Sequence, residues 1–159
     1  MKTQEKAYIA GFFDREGHVS ITHLKNTPTY QCRVGFTNTD RLILEWIKSK
    51  VGGSITLKQR VSEIHSQAFK LEIASVDEVL SLLKEIKPYV KIKTAQLNFA
   101  LEFIKDKRAK KIGSKHRIHR SWDDKHASSI SKQELQLRET RKIKMNELNM
   151  RGPVIAIGR

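Results

Sequence analysis

Glu16 sits near the end of the stretch Ile9-Ala10-Gly11-Phe12-Phe13-Asp14-Arg15-Glu16-Gly17, which sets two small residues beside two aromatics and finishes in two carboxylates. Ala10 and Gly11 lack bulk, so two copies of a helix carrying them could approach with their backbones nearly touching. A carboxylate just past the end of each helix would then lie close to its symmetry mate, and Glu16 is that carboxylate. Two oxygen-rich ends brought together make a site for a hard cation such as Mg²⁺, able to stabilise both the attacking and the leaving oxygen at a phosphodiester. The same residues also fit a plainer description, a buried amphipathic helix with an acidic end and a glycine cap.

The elements that would position this stretch follow from periodicity. Residues 4–14 read as a short helix, and from Gly17 the pattern turns to strand alternation, with Val19 and Ile21 on one face and His18, Ser20 and Thr22 on the other. Asn26-Thr27-Pro28 supplies a turn. A second strand sets Cys32, Val34 and Phe36 against Gln31, Arg33, Gly35 and Thr37, and Asn38-Thr39-Asp40 offers helix-capping groups. Ile43, Trp46, Ile47 and Val51 recur at helical spacing until Gly52-Gly53. Two more alternating segments, 54–58 and 68–73, flank a polar turn at Ser62-Glu63. Ser75 and Glu78 have the spacing of a capping box at the head of a helix through Leu82, Leu83 and Ile86, which Pro88 ends. A last core helix starts near Lys93, with Phe99, Ala100, Phe103 and Ile104 on one side.

The predicted order is helix, two strands, helix, two strands, helix, helix, an α+β layout on one four-stranded antiparallel sheet. Its apolar face takes the helices. The other is lined by Ser20, Thr22, Gln31, Arg33, Thr37, Ser54, Thr56, Lys58, Arg60, Lys70 and Glu72. Residues 1–105 form the predicted core and 106–159 a basic extension. In that extension 107–111 and 115–120 read as a linker or a clamp on a DNA backbone, 131–148 as a helix without a clean stripe, and Gly152-Pro153 onward as frayed.

With 31 Lys and Arg against 17 Asp and Glu, the 159-residue chain carries a formal net charge of +14 and calls for a polyanionic partner, nucleic acid foremost. A single cysteine, Cys32, excludes an intramolecular disulfide and a cysteine-based zinc cluster, and fits a reducing compartment. The six histidines are scattered and form no zinc set, and no glycine-rich phosphate loop is present. The first residues hold neither a signal peptide nor a membrane span, so an unexported intracellular protein with no membrane partner is expected, in an organelle or a prokaryotic cytoplasm. Arg138, Arg141, Lys142 and Lys144 are basic enough for a recognition helix, but no partner helix and turn precede them.

Residues 9–17 resemble the signature helix of the LAGLIDADG homing endonucleases, filling its nine places in order. Ala10, Gly11, Asp14 and Gly17 match outright, Ile9, Phe12, Phe13 and Glu16 are substitutions of like character, and Arg15 is the loose fit. The resemblance extends over residues 4–105, because that family's core has the order αββαββα. It implies Mg²⁺, two or three divalent ions shared at a dimer interface, held by Glu16 and the backbone carbonyl of Arg15. It implies catalytic roles for Glu16, for Asn38 as a group ordering active-site water, and for Lys93 as a cation near the metals, with Lys91 as the alternative if the register shifts. Asn38 also reads as a plain helix N-cap and Lys93 as a solvated surface lysine.

By the same resemblance Ala10, Gly11, Phe13 and Asp14 would form the dimer interface, and the polar sheet face would enter the major groove of double-stranded DNA. One signature motif in one chain implies a homodimer and a long pseudo-palindromic duplex target, cut on both strands with short 3′ overhangs. Intron homing would be the biological setting. Two other functions fit the same fold: an intron RNA maturase, and a DNA-binding regulator without catalysis.

Overall fold

The computed structural model describes residues 1–25, 27, 29–58, 66–113 and 132–150. In chain order the elements are α1 (Thr3–Glu16), β1 (Gly17–His23), β2 (Tyr30–Asn38), α2 (Arg41–Val51), β3 (Ser54–Leu57), β4 (Phe69–Ile73), α3 (Val76–Ile86), α4 (Thr94–Gly113) and α5 (Lys132–Asn149). The predicted order of helix, two strands, helix, two strands, helix, helix is therefore present, followed by α5. The turn at Asn26 and Pro28, the turn at Ser62-Glu63, Arg60, the charge run 115–120 and the segment from Gly152 lie outside the described residues.

The strands form one antiparallel sheet in the order β1-β2-β4-β3. Alternation sends Val19, Ile21, Cys32, Val34, Phe36, Leu71 and Ile73 to one face, where all are buried beneath the helices. There they join Ile9, Phe13, Leu44, Ile47, Leu82, Leu83, Ile86, Leu97 and Ile104 in one core. Burial pushes the Cys32 thiol up to about 12, so it behaves as an inert apolar side chain. Among the described residues no helix is long and apolar enough to cross a membrane.

Local chemistry explains the boundaries of α2. Asp40 accepts the Leu42 N–H at 2.8 Å as its N-cap, and Gly52 and Gly53, at φ 81° and 90°, turn the chain out of the helix. The capping box expected at Ser75 and Glu78 is not formed: Ser75 is the N-cap residue of α3 but makes no side-chain cap bond. The Glu78 carboxylate instead lies against Gly52.

The segment after Lys105 also departs from expectation. Residues 107–111 are not a linker, because α4 runs unbroken to Gly113 through a sequence rich in the helix formers Lys, Arg and Ala. Nor is α5 detached. Met145 is completely buried, Arg141 pairs with Asp106, and Gln96 donates to the Leu148 carbonyl at 2.6 Å. Asn149 donates to the Val19 carbonyl at 2.7 Å, so α5 covers the edge strand β1.

Candidate active site and nucleic-acid face

No loop separates α1 from β1. Glu16 is the last residue of the helix and Gly17 the first of the strand. A Cβ on Gly17 would lie 2.5 Å from the Phe13 ring and 2.7 Å from its carbonyl oxygen, so only glycine lets the chain turn this tightly. The β1–β2 register pairs Gly17 with Phe36, which puts Glu16 at the end of the sheet where β2 finishes in Thr37 and Asn38. The Glu16 carboxylate remains partly exposed, and Arg15 Nε donates to it at 3.3 Å.

The link between α3 and α4 meets this end of α1. The Asp14 carboxylate accepts the backbone N–H of Lys91 at 2.7 Å and of Lys93 at 2.9 Å. Partial burial alone would raise its pKa, but these N–H groups, with Ile92 and the Lys93 charge, outweigh that and hold it below the usual aspartate value. The Lys93 ammonium donates to the carbonyls of Phe13 at 3.0 Å, of Arg15 at 3.4 Å and of Gly17. The Phe13 and Arg15 carbonyls carry the negative end of the α1 dipole, which a fixed cation offsets. Lys93 thus supplies the ammonium at the helix end, whereas Lys91 gives its backbone N–H and is exposed.

Asn38 is not the N-cap of α2. Its Oδ1 accepts the Asp40 N–H at 2.8 Å, a local turn that fixes the side chain just before the helix.

The sheet face away from the helices carries the polar rows that alternation predicts. Register sets Ser20 beside Arg33, Thr22 beside Gln31, Thr37 beside Lys70 and Lys70 beside Thr56, with Glu72 beside Ser54. Arg33 pairs with Glu72 at 2.6 Å, and Lys70 pairs with the other oxygen of the same carboxylate. Lys70 and Arg33 together hold the Glu72 carboxyl below its ordinary pKa, against partial burial.

No family model and no curated protein matches the sequence. Solved structures do. The homing endonuclease I-CvuI, solved with an uncleaved DNA target in the presence of Mg, is 21% identical over 93% of this chain and 83% of its own, at a TM-score of 0.61. The archaeal intron-encoded homing endonuclease I-Vdi141I, complexed with DNA, is 17% identical over 94% of this chain and 87% of its own, at 0.64. The LAGLIDADG homing endonuclease I-GzeII, in complex with its DNA target, is 18% identical over 70% of this chain and 38% of its own, at 0.55. The chain has the LAGLIDADG homing-endonuclease fold.

In this LAGLIDADG fold residues 9–17 are the C-terminal part of α1 and the first residue of β1, and the structure turns two of the residues assigned to a dimer interface into the chain's own core. Ala10 and Phe13 are both 0% exposed, packed with Ile9 into the chain's own core. Asp14 is spent on the α3–α4 link. The helix face left open is Gln4, Ala7, Tyr8, Gly11 and Arg15, at successive turns, and a Cβ on Gly11 would meet nothing within 4 Å. Gly11 alone of the four assigned residues is on that face. Tyr8, 52% exposed, extends the face through an edge-on contact with Trp46 of α2.

Of the predicted site residues, Lys93 and the Arg15 carbonyl meet beside Glu16 at the end of α1, and Asn38 is the last residue of β2, the strand that pairs with β1 from Gly17. Ser20, Thr22, Gln31, Arg33, Thr37, Ser54, Thr56, Lys70 and Glu72 line the open sheet face, and the backbone N–H of Lys58 still pairs with Ala68 just past β3. His18 also belongs to this face, where strand alternation sets it with Ser20 and Thr22. Its ring lies over Gly35, where an added Cβ would come within 2.2 Å of Cε1. Burial, then Lys70, Lys93 and Lys58, push its pKa down, with Glu72 opposing.

Proposed function

We propose that this chain is a site-specific double-strand DNA endonuclease that works as a homodimer through the open face of α1. The single observation that carries the reading is the Lys93 ammonium held on the carbonyls at the end of α1, next to Glu16 and the last residues of β2, beside a helix face bare of side chain at Gly11. A chain of net charge +14 fits a polyanionic substrate. The major groove accepts a β-ribbon, and Gln31, Arg33, Lys58, Lys70 and Glu72 are chemically able to meet base edges there.

The chemistry of the donor set fits a hard divalent cation shared by two copies. Each copy offers the Glu16 carboxylate and the Arg15 carbonyl, and among the described residues no three His, Cys, Asp or Glu side chains gather in one copy. Mg²⁺ held there, as two or three shared ions, would polarise the scissile phosphate and acidify a bound water. The chain's own groups do the rest. Lys93, anchored on the α1 carbonyls, offers a fixed positive charge to the phosphoryl oxygens. The Asn38 amide, oriented by its bond from Asp40, can hold a water by hydrogen bonding.

Two such copies related by a two-fold axis imply a pseudo-palindromic target cut on both strands, and the resemblance to the homing endonucleases adds short 3′ overhangs. Binding should weaken steeply with salt, since each phosphate contact releases counterions. The test is incubation with a randomised duplex library and Mg²⁺. Cleavage that Glu16→Gln abolishes while duplex binding persists supports the reading. Duplex binding without cutting at any divalent metal would leave a regulator instead, and preference for structured RNA a maturase.

A further inference from the structure

Four side chains on the open sheet face form one network. Arg33 donates from one terminal nitrogen to Glu72 Oε1 at 2.6 Å and from the other to Gln31 Oε1 at 3.2 Å. Gln31 is itself fixed by donating to the Ala74 carbonyl at 2.6 Å, and the second Glu72 oxygen accepts from Lys70. Arg33 Nε is buried and has no hydrogen-bond partner, so the donors that reach solvent are those of the two terminal nitrogens. Each terminal nitrogen carries two hydrogens and spends one inside the network, which leaves one on each. Glu72 keeps lone pairs on both oxygens. Both side chains are still about a quarter exposed, at 29% and 24%, so these atoms can be reached from the groove side.

We propose that Arg33 and Glu72 read a single G·C base pair as a unit, a specificity element that rests on the DNA-binding function proposed above. The pair presents two donors beside an acceptor. In the major groove a G·C pair presents the acceptors N7 and O6 of guanine and then the N4 donor of cytosine, the complementary series. An A·T pair puts the adenine N6 donor against the second arginine donor, T·A likewise breaks the series, and C·G reverses it. One of the four arrangements therefore satisfies every group. The carboxylate adds discrimination, because away from a base donor it faces only phosphate charge. Holding the guanidinium in place beforehand also removes rotamer freedom that would otherwise be lost on binding. A bare arginine among serines and threonines would instead serve phosphates of any sequence.

The experiment is base-by-base binding to duplexes derived from the tightest library binder, with the full-length wild-type chain, Arg33→Lys and Glu72→Gln. Arg33→Lys keeps the charge and loses the fork, and Glu72→Gln keeps the shape, so circular dichroism should confirm both as folded. The expected result is a G·C preference at one position of each half-site of about tenfold or more in the wild type. Both variants should flatten it at that same position while preferences elsewhere remain. The proposal is overturned if neither variant changes any base preference, or if the two act at different base pairs. A wild-type chain that binds no duplex selectively would overturn this element and the DNA-binding reading together, whereas selective binding indifferent to both variants would sink only the former.

Discussion

Asp14 and Lys93 hold each other in two directions: the Asp14 carboxylate accepts the Lys93 backbone N–H at 2.9 Å, and the Lys93 ammonium reaches back to the carbonyl of Phe13, one residue before Asp14, at 3.0 Å. The last turn of α1 and the entry to α4, 79 residues apart, are thereby locked together. Glu16 sits just beyond that lock.

Asp14→Ala should accordingly cost stability and catalysis together. It strands the N–H groups of Lys91 and Lys93, each bond to a charged acceptor being worth about 1.5–3 kcal/mol, less whatever water recovers. Urea unfolding should show the loss, and cleavage should fall with Lys93 no longer fixed. An unchanged urea midpoint would contradict it. Because the folded Asp14 pKa is depressed, its contribution is present above about pH 4 and is lost as pH falls through the folded value.

Gly11→Leu separates folding from assembly. With open space around Gly11 the single chain should keep its helix content and gain up to about 1 kcal/mol of helix propensity. Two copies packed across α1 would clash. Sedimentation should turn a dimer into a folded monomer, with cleavage lost, and a dimer that persists would rule out this face.

Met145→Ala should cost about 2–5 kcal/mol, as for other fully buried large side chains. The same variant should expose α5 to protease, since Met145 is the buried residue of this helix, which packs on β1. A cost below about 0.5 kcal/mol, the usual level for surface sites, would mean that α5 is not part of the core.

His18 predicts a pH dependence. Its folded pKa is lowered, chiefly by burial and then by Lys70, so the unfolded chain binds the proton first, near pH 6.5. Stability should be intact above that pH and fall as pH drops from about 6.5 toward the folded value. In His18→Gln this component disappears, so the difference between the two stability profiles should slope only in that window. Parallel profiles would be evidence against it.

Much of the architecture was legible from local pattern. Strand alternation in Val19-Ser20-Ile21 or Cys32-Arg33-Val34 has a period of two, and it names the wet face wherever one face is buried. Ser75 and Glu78 show the limit of a local rule: the spacing of a capping box is present, yet Glu78 lies against Gly52, a partner no window around it contains.

What the sequence by itself determined is the element order, the polar side of the sheet, the charge that demands a polyanion, and Glu16 at the end of a small-residue helix. These are properties of neighbours along the chain, where backbone geometry sets the period. Tertiary structure alone decided which side of α1 is free, turning Ala10 and Phe13 inward and Gly11 outward. It also decided that Lys93 rather than Lys91 brings the ammonium to the helix end, that α5 belongs to the core, and that Arg33, Gln31, Lys70 and Glu72 act as one group. Each of these depends on contacts between segments distant in sequence, and helical periodicity says that a face is buried without saying what covers it.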